Sequence, residues 1–214
     1  MPDPTQFALF FAAALLLAVT PGPGIFYVAA RTLAGGRAEG LASTFGTGLG
    51  GMVHVLAGSL GVSALVLASA ELFTALKLAG AAYLVWIGVR TCLAARREAG
   101  PGLGAAVPAM GSRRAFREGV LVEALNPKTA AFFLAFIPQF VDPSRGHVAL
   151  HFMLLGAVSV LLNTMADMAV AVAASRIRDG AAARPGLIRR LREVSGGAMV
   201  ALGVGLAMAR RPAG

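Results

Sequence analysis

The chain has 214 residues, 57% of them hydrophobic and only 14% charged, with a net charge of +9. Soluble domains carry about a quarter charged residues, and the cations here sit in short segments between apolar runs, which excludes a basic nucleic-acid groove on a soluble fold. Composition and a mean hydropathy of +0.74 point instead to an all-α integral membrane protein.

Six stretches are long and apolar enough, with their flanks, to be predicted as membrane-crossing helices: 7–30, 41–70, 72–93, 116–141, 148–174 and 194–209. The leading "MPDPTQF" has no Lys or Arg, so it lacks the basic region of a cleavable signal peptide and the first span is expected to be retained. Within that span "LLLAVTPGPGIFYVAA" places Pro21, Gly22 and Pro23 where a helix should be continuous. A proline cannot donate to the carbonyl four residues earlier, so Leu17 and Val19 are expected to lose their helical partners. Gly22 is expected to supply backbone freedom between the prolines.

The second span carries His54, a candidate pocket residue, and "GTGLGG". Those glycines match a dinucleotide-binding pattern only formally, because no strand precedes them. Gly46 and Gly50, four apart in an apolar helix, are expected to let another helix approach closely. Cys92, near the end of the third span, is the sole cysteine and excludes an intrachain disulfide. Residues 96–114, rich in Gly, Pro and Arg, read as a cytoplasmic linker.

The fourth span holds "EALNPKTA": Pro127 is expected to free the carbonyl of Glu123, with Asn126 and Lys128 beside the break. Asp167 lies inside the fifth span, with Asn163 one turn earlier on the same face. An acid at a helix centre costs about 2.5–3.5 kcal/mol on insertion scales and marks a proton or cation pathway. Asp167 and Glu123 are therefore the candidate proton-coupling residues. His147 and His151 are a turn apart at the start of this span, but with no third ligand near them no metal site is predicted. The basic stretch from Arg184 is amphipathic and suits the membrane interface.

Loops after spans one, three and five hold fourteen cations; the opposite side holds four, Lys77, Arg145, Arg210 and Arg211. Cytoplasmic loops are enriched in Lys and Arg, so both termini are predicted to face outside. The chain is then a single domain over 1–214, built as two inverted three-helix repeats, about 1–95 and about 115–214, around the linker. Proline-broken helices at corresponding positions of such repeats are the best sequence pointer to a transport site.

The pattern "TPGPG", "GLGGMVHVLAGSLG", "KLAGAAYLVWIGVR" and "FREGVLVEALNPKTAAFFLAFIPQFV" resembles the LysE/RhtB translocator family over nearly the whole chain. The resemblance implies a bacterial inner-membrane, multi-pass exporter of amino acids and derivatives, driven by the proton-motive force, with no cofactor. The family motifs fall on Pro21, Gly22 and Pro23, on Asn126, Pro127 and Lys128, and around them on Phe116, Gly119, Pro138, Gln139 and Phe140. Many members carry an acidic or polar residue just after the glycine pair of span two, where this chain has Gly51; a strongly cationic substrate then lacks one counter-charge. The expected function is export of a small, neutral amino acid or derivative, with the bilayer, protons and the substrate as its partners and no enzymatic activity. Freed carbonyls and Asn126 are expected to bind the substrate ammonium group. Export of a different small metabolite is the alternative. An intramembrane serine protease would need more than Ser59 and Ser63 sharing a span with His54, with no G-x-S-x-G present.

Overall fold

The computed structural model describes residues 4–68, 109–142, 144 and 146–177, together with helical positions scattered through 71–93 and 193–208. Nearly half of span three, most of span six, residues 96–108 of the linker and nearly all of the basic stretch from Arg184 lie outside the described residues, as do Lys77, Arg145, Arg210 and Arg211. Among the described residues every regular element is helical. In chain order these are α1 (Pro4–Val19), α2 (Pro23–Ala68), α3 (Ser112–Ala124), α4 (Pro127–Ala131) and α5 (Val148–Ile177). Between α4 and α5 the helix continues as a π turn, Phe132–Phe136, and a 3-10 turn, Ile137–Phe140.

By length and composition α5 can cross a membrane alone, over Val148–Arg176. Two bent pairs qualify as broken spans: Pro4–Val19 with Pro23–Gly61, bent by 43°, and Ser112–Ala124 with Pro127–Phe140, bent by 41°. Both bends sit at the proline motifs.

The distribution of side chains is inverted relative to a soluble domain. Leu9, Leu60, Leu125, Leu161 and Met165 are exposed, whereas Arg31, Glu39, Glu123, Lys128 and Asp167 are buried. Polar groups turned inward and apolar groups turned outward satisfy hydrocarbon on the outside and hydrogen bonding within. The interior also holds an apolar cluster in which Phe10, Phe132, Phe133, Ile137 and Phe152 interlock α1, the π turn and α5.

The expected loop after span one is helical except for one residue. Gly36 has φ 77° and ψ −170° inside α2, a conformation that glycine adopts without the Cβ clash other residues suffer. There the chain folds back. The Thr32 hydroxyl lies where a Cβ on Gly40 would be, although residues eight apart on a straight helix are separated by about 12 Å. Across the same turn Arg31 Nη1 is 3.7 Å from Glu39 Oε2, and Glu39 Oε1 accepts the amides of Met110 and Gly111 at 2.8 and 2.7 Å. Arg31, expected as a loop cation, is thus buried, because the turn's glycines let the chain close over it. The carboxylate of Glu39 ties this turn to the start of α3. Glu39→Gln keeps an acceptor but removes the charge opposite Arg31; it is expected to lower stability by about 1–2 kcal/mol, measured as thermal unfolding in detergent.

Gly46 and Gly50 do face another helix. A Cβ at Gly46 would sit 2.2 Å from the carbonyl oxygen of Phe116, and one at Gly50 would sit 2.5 Å from that of Val120. Gly119 faces back, where a Cβ would sit 2.8 Å from the carbonyl oxygen of Ser43. The backbones of α2 and α3 therefore touch, which brings the second break against the N-terminal segment.

A candidate transport site between two broken helices

At the first break, residues 20–22 leave the helix between α1 and α2. The Thr20 amide turns back onto the carbonyls of Leu16 and Leu17, and its hydroxyl donates to Leu16 O. The Leu17 carbonyl, which Pro21 cannot serve, accepts Lys128 Nζ at 3.2 Å, and the same ammonium donates to Thr20 O at 2.9 Å. At the second break, Asn126 caps α4: its Oδ1 accepts the Lys128 amide at 3.0 Å, with Pro127 as the first helical residue. The Glu123 carbonyl, which Pro127 cannot serve, accepts the Asn126 amide at 3.0 Å and the ring of His54 at 2.9 Å. A carbonyl only accepts, so His54 carries its proton on Nε2. Each break is thus capped by a side chain reaching across from the other segment. The freed carbonyls foreseen from the prolines exist at Leu17 and Glu123, and the protein's own donors occupy them.

The glycines of the first motif have a use that spacing alone did not show. Gly22 lacks a positive φ, so space rather than backbone freedom accounts for it: a Cβ there would lie 3.2 Å from Nζ and Cε of Lys128. A Cβ on Gly24 would lie 2.7 Å from Glu123 Oε2. Gly22 and Gly24 are seats for the ammonium and the carboxylate of the other segment.

Lys128, 3% exposed, and Glu123, 2% exposed, are both buried within the protein. The Glu123 carboxylate accepts Asn126 Nδ2 at 2.9 Å and the Thr129 hydroxyl at 2.6 Å. Asn126, with both ends of its amide engaged, orients the carboxylate and the helix start. Asp167, fully buried on α5, accepts the Thr47 hydroxyl at 2.7 Å through Oδ2. No described group donates to its Oδ1.

Between these groups lies a cavity of about 10 Å³, room for roughly one water. Glu123, Thr129, Thr47, Ser159 and Asn163 supply its polar wall, and Gly51, Ala14 and Phe133 part of the rest. Gly51, the departure from the family pattern, is therefore at the cavity itself. Asn163 lines the cavity; His54 stands behind it, against Phe133 at 5.8 Å between ring centroids. Pro21, Pro23 and Pro127 shape the breaks without lining the cavity. Sequence reasoning missed Thr47, Thr129 and Ser159, since hydroxyls in helices most often bond their own backbone and nothing in their spacing set these three apart. It also missed the Arg31–Glu39 pair. Among the described residues no group of three or more metal-ligating side chains converges.

Residues 15–210 match the family model described as LysE type translocator. An uncharacterized membrane protein of Vibrio cholerae is 30% identical over 94% of this chain and 96% of its own length. A homoserine/homoserine lactone efflux protein of Salmonella typhimurium is 30% identical over 76% of this chain and 77% of its own. A leucine efflux protein of Enterobacter is 26% identical, covering 75% of each. No solved structure matches. With buried charges at paired helix breaks and a family model spanning nearly its whole length, this membrane protein belongs to the LysE type translocator family.

Proposed function

We propose that this protein exports a small, neutral amino acid or derivative across the bacterial inner membrane in exchange for protons. The observation that carries the reading is the Glu123–Asn126–Thr129 cluster facing a cavity between two broken helices, with Asp167 one hydroxyl away. Six spans in two inverted repeats with both termini outside suit this reading, and the near-equal bends of 43° and 41° at the two proline motifs support it.

Glu123 is the group that receives the substrate ammonium. Its carboxylate is held by Asn126 and Thr129, and the residue lines the cavity; a charge-assisted bond to an ammonium group is strong at such a site. The relatives named for homoserine, homoserine lactone and leucine share an amino group beside a carbonyl carbon; the lactone has no carboxylate, so the ammonium is the common feature. Gly51 adds no second acid to the wall, which favours substrates without a cationic side chain. A cavity the size of one water cannot hold an amino acid, so loading requires the two segments to part, and the structure corresponds to a closed state between openings. Asp167 carries the exchanged proton.

Everted vesicles with an acid interior test this. Wild type is expected to accumulate one or more labelled neutral amino acids. Asp167→Asn is expected to lose at least about tenfold of that gradient-driven accumulation while retaining substrate exchange at equal pH. Undiminished accumulation by Asp167→Asn removes Asp167 from the coupling role, and no accumulation of any amino acid by folded wild type shifts the reading to a different metabolite.

A further inference from the structure

The Thr47 hydroxyl stands at a choice it cannot satisfy twice. Its Oγ1 is 2.9 Å from the Thr44 carbonyl oxygen and 2.7 Å from Asp167 Oδ2. A hydroxyl has one hydrogen to give. If Asp167 is ionised, that hydrogen points to the carboxylate and Thr44 O keeps only its helical partner. If Asp167 holds a proton on Oδ2, the carboxyl donates to Thr47 Oγ1 and the hydroxyl hydrogen turns to Thr44 O. Both arrangements fit the same heavy-atom positions.

Position adds a second observation. Thr47 lines the cavity, and Asp167, fully buried, is not part of that lining. Among the described hydrogen bonds, Thr47 provides the one side-chain link from the cavity wall to Asp167. The nearest alternative, Asn163, is one turn from Asp167 on α5 and also lines the cavity, but no bond joins the two.

The geometry points to Thr47 as a proton relay between the cavity and Asp167, an assignment that rests on Asp167 being the coupling residue. On the inward step a cavity water, protonated from bulk solvent, gives a proton to Thr47 Oγ1, and the hydroxyl's own hydrogen passes to Asp167 Oδ2. The products are a neutral water, a neutral threonine hydroxyl and a protonated aspartic acid. Release is the reverse. A cavity with room for about one water suffices for this step. The charged groups that bear on Asp167 are Glu123 and Lys128; His54 on α2 faces the Glu123 carbonyl, and the Thr47 side chain is uncharged. Glu123 and Lys128 remain in place in any Thr47 variant, so a change in proton movement there reports the relay.

Infrared difference spectroscopy of the full chain in proteoliposomes after a pH jump tests the inference without a substrate. The carboxyl band absent from Asp167→Asn identifies Asp167. Thr47→Val, which keeps the volume and leaves no room for a replacement water, is expected to shift that band and slow its appearance by at least about tenfold. Thr47→Ser, which restores the hydroxyl, is expected to return the wild-type rate, a rescue that also separates relay from misfolding. A wild-type rate in folded Thr47→Val overturns the relay and leaves Asp167 as the coupling group. A wild-type spectrum in which no carboxyl band attributable to Asp167 responds across the range where carboxyls titrate overturns the coupling reading itself, and the relay with it.

Discussion

Lys128→Met is expected to abolish export and to destabilise the protein by about 3–5 kcal/mol, the range seen when one partner of a buried charged arrangement is removed. Methionine keeps the four-atom stem of lysine and drops only the ammonium, so packing of the stem predicts little change. The loss arises at the tip. Lys128 Nζ donates to Leu17 O and Thr20 O, and its positive charge acts on Glu123 and Asp167. Without it the first break loses its cross-segment cap, and two buried acids lose the cation that acts on both. Thermal unfolding in detergent measures the first effect and vesicle accumulation the second. A Met variant of wild-type stability would show that the ammonium is dispensable for closing the break. Gly22→Ala gives a graded version of the same test, because its Cβ would press on the lysine tip at 3.2 Å and a flexible side chain can give way.

The second large effect is steric. Gly46→Ala places a methyl group 2.2 Å from a backbone oxygen of α3, where no side-chain rotation relieves the clash. The helices must separate by about 1 Å, and overpacking of this kind costs about 1–3 kcal/mol or more. Separation also draws Glu123 away from the His54 contact and from its seat at Gly24, so transport is expected to fall further than stability does. The matched control is Gly61→Ala on the same helix. Among the described residues nothing lies within 4 Å of a Cβ there, and the substitution is expected to be neutral or to stabilise by about 0.5–1 kcal/mol through higher helix propensity. Equal behaviour of the two variants would refute close contact between α2 and α3.

Several features of the site were legible in residue order. The two helix breaks follow from proline chemistry, which is local: a missing N–H strands a known carbonyl whatever the fold. The buried acid at Asp167 followed from its cost in an apolar run. The close helix contact at Gly46 and Gly50 followed from small residues at helical spacing. Other features depend on partners distant in the chain. Nothing in "TPGPG" says that its glycines seat a lysine and a glutamate more than a hundred residues later, with the intended backbone role at Gly22 giving way to one of space. Nothing in "NPK" says that the lysine reaches back to Leu17 rather than out to lipid headgroups. Nothing in "NPK" says either that Asn126, expected beside the substrate, caps α4 and donates to Glu123.

The sequence by itself therefore determined the membrane setting, the helical class, the positions of the breaks and the identity of the costly acids, because each of these is a property of a single segment in its solvent. Tertiary structure alone decided which donors satisfy the stranded carbonyls, that Arg31 and Glu39 are buried at a glycine turn, and that Thr47 stands between Asp167 and the cavity. Those outcomes require residues 47 and 167, or 17 and 128, to meet, and a contact between distant segments is set by how helices pack rather than by the chemistry of either segment alone.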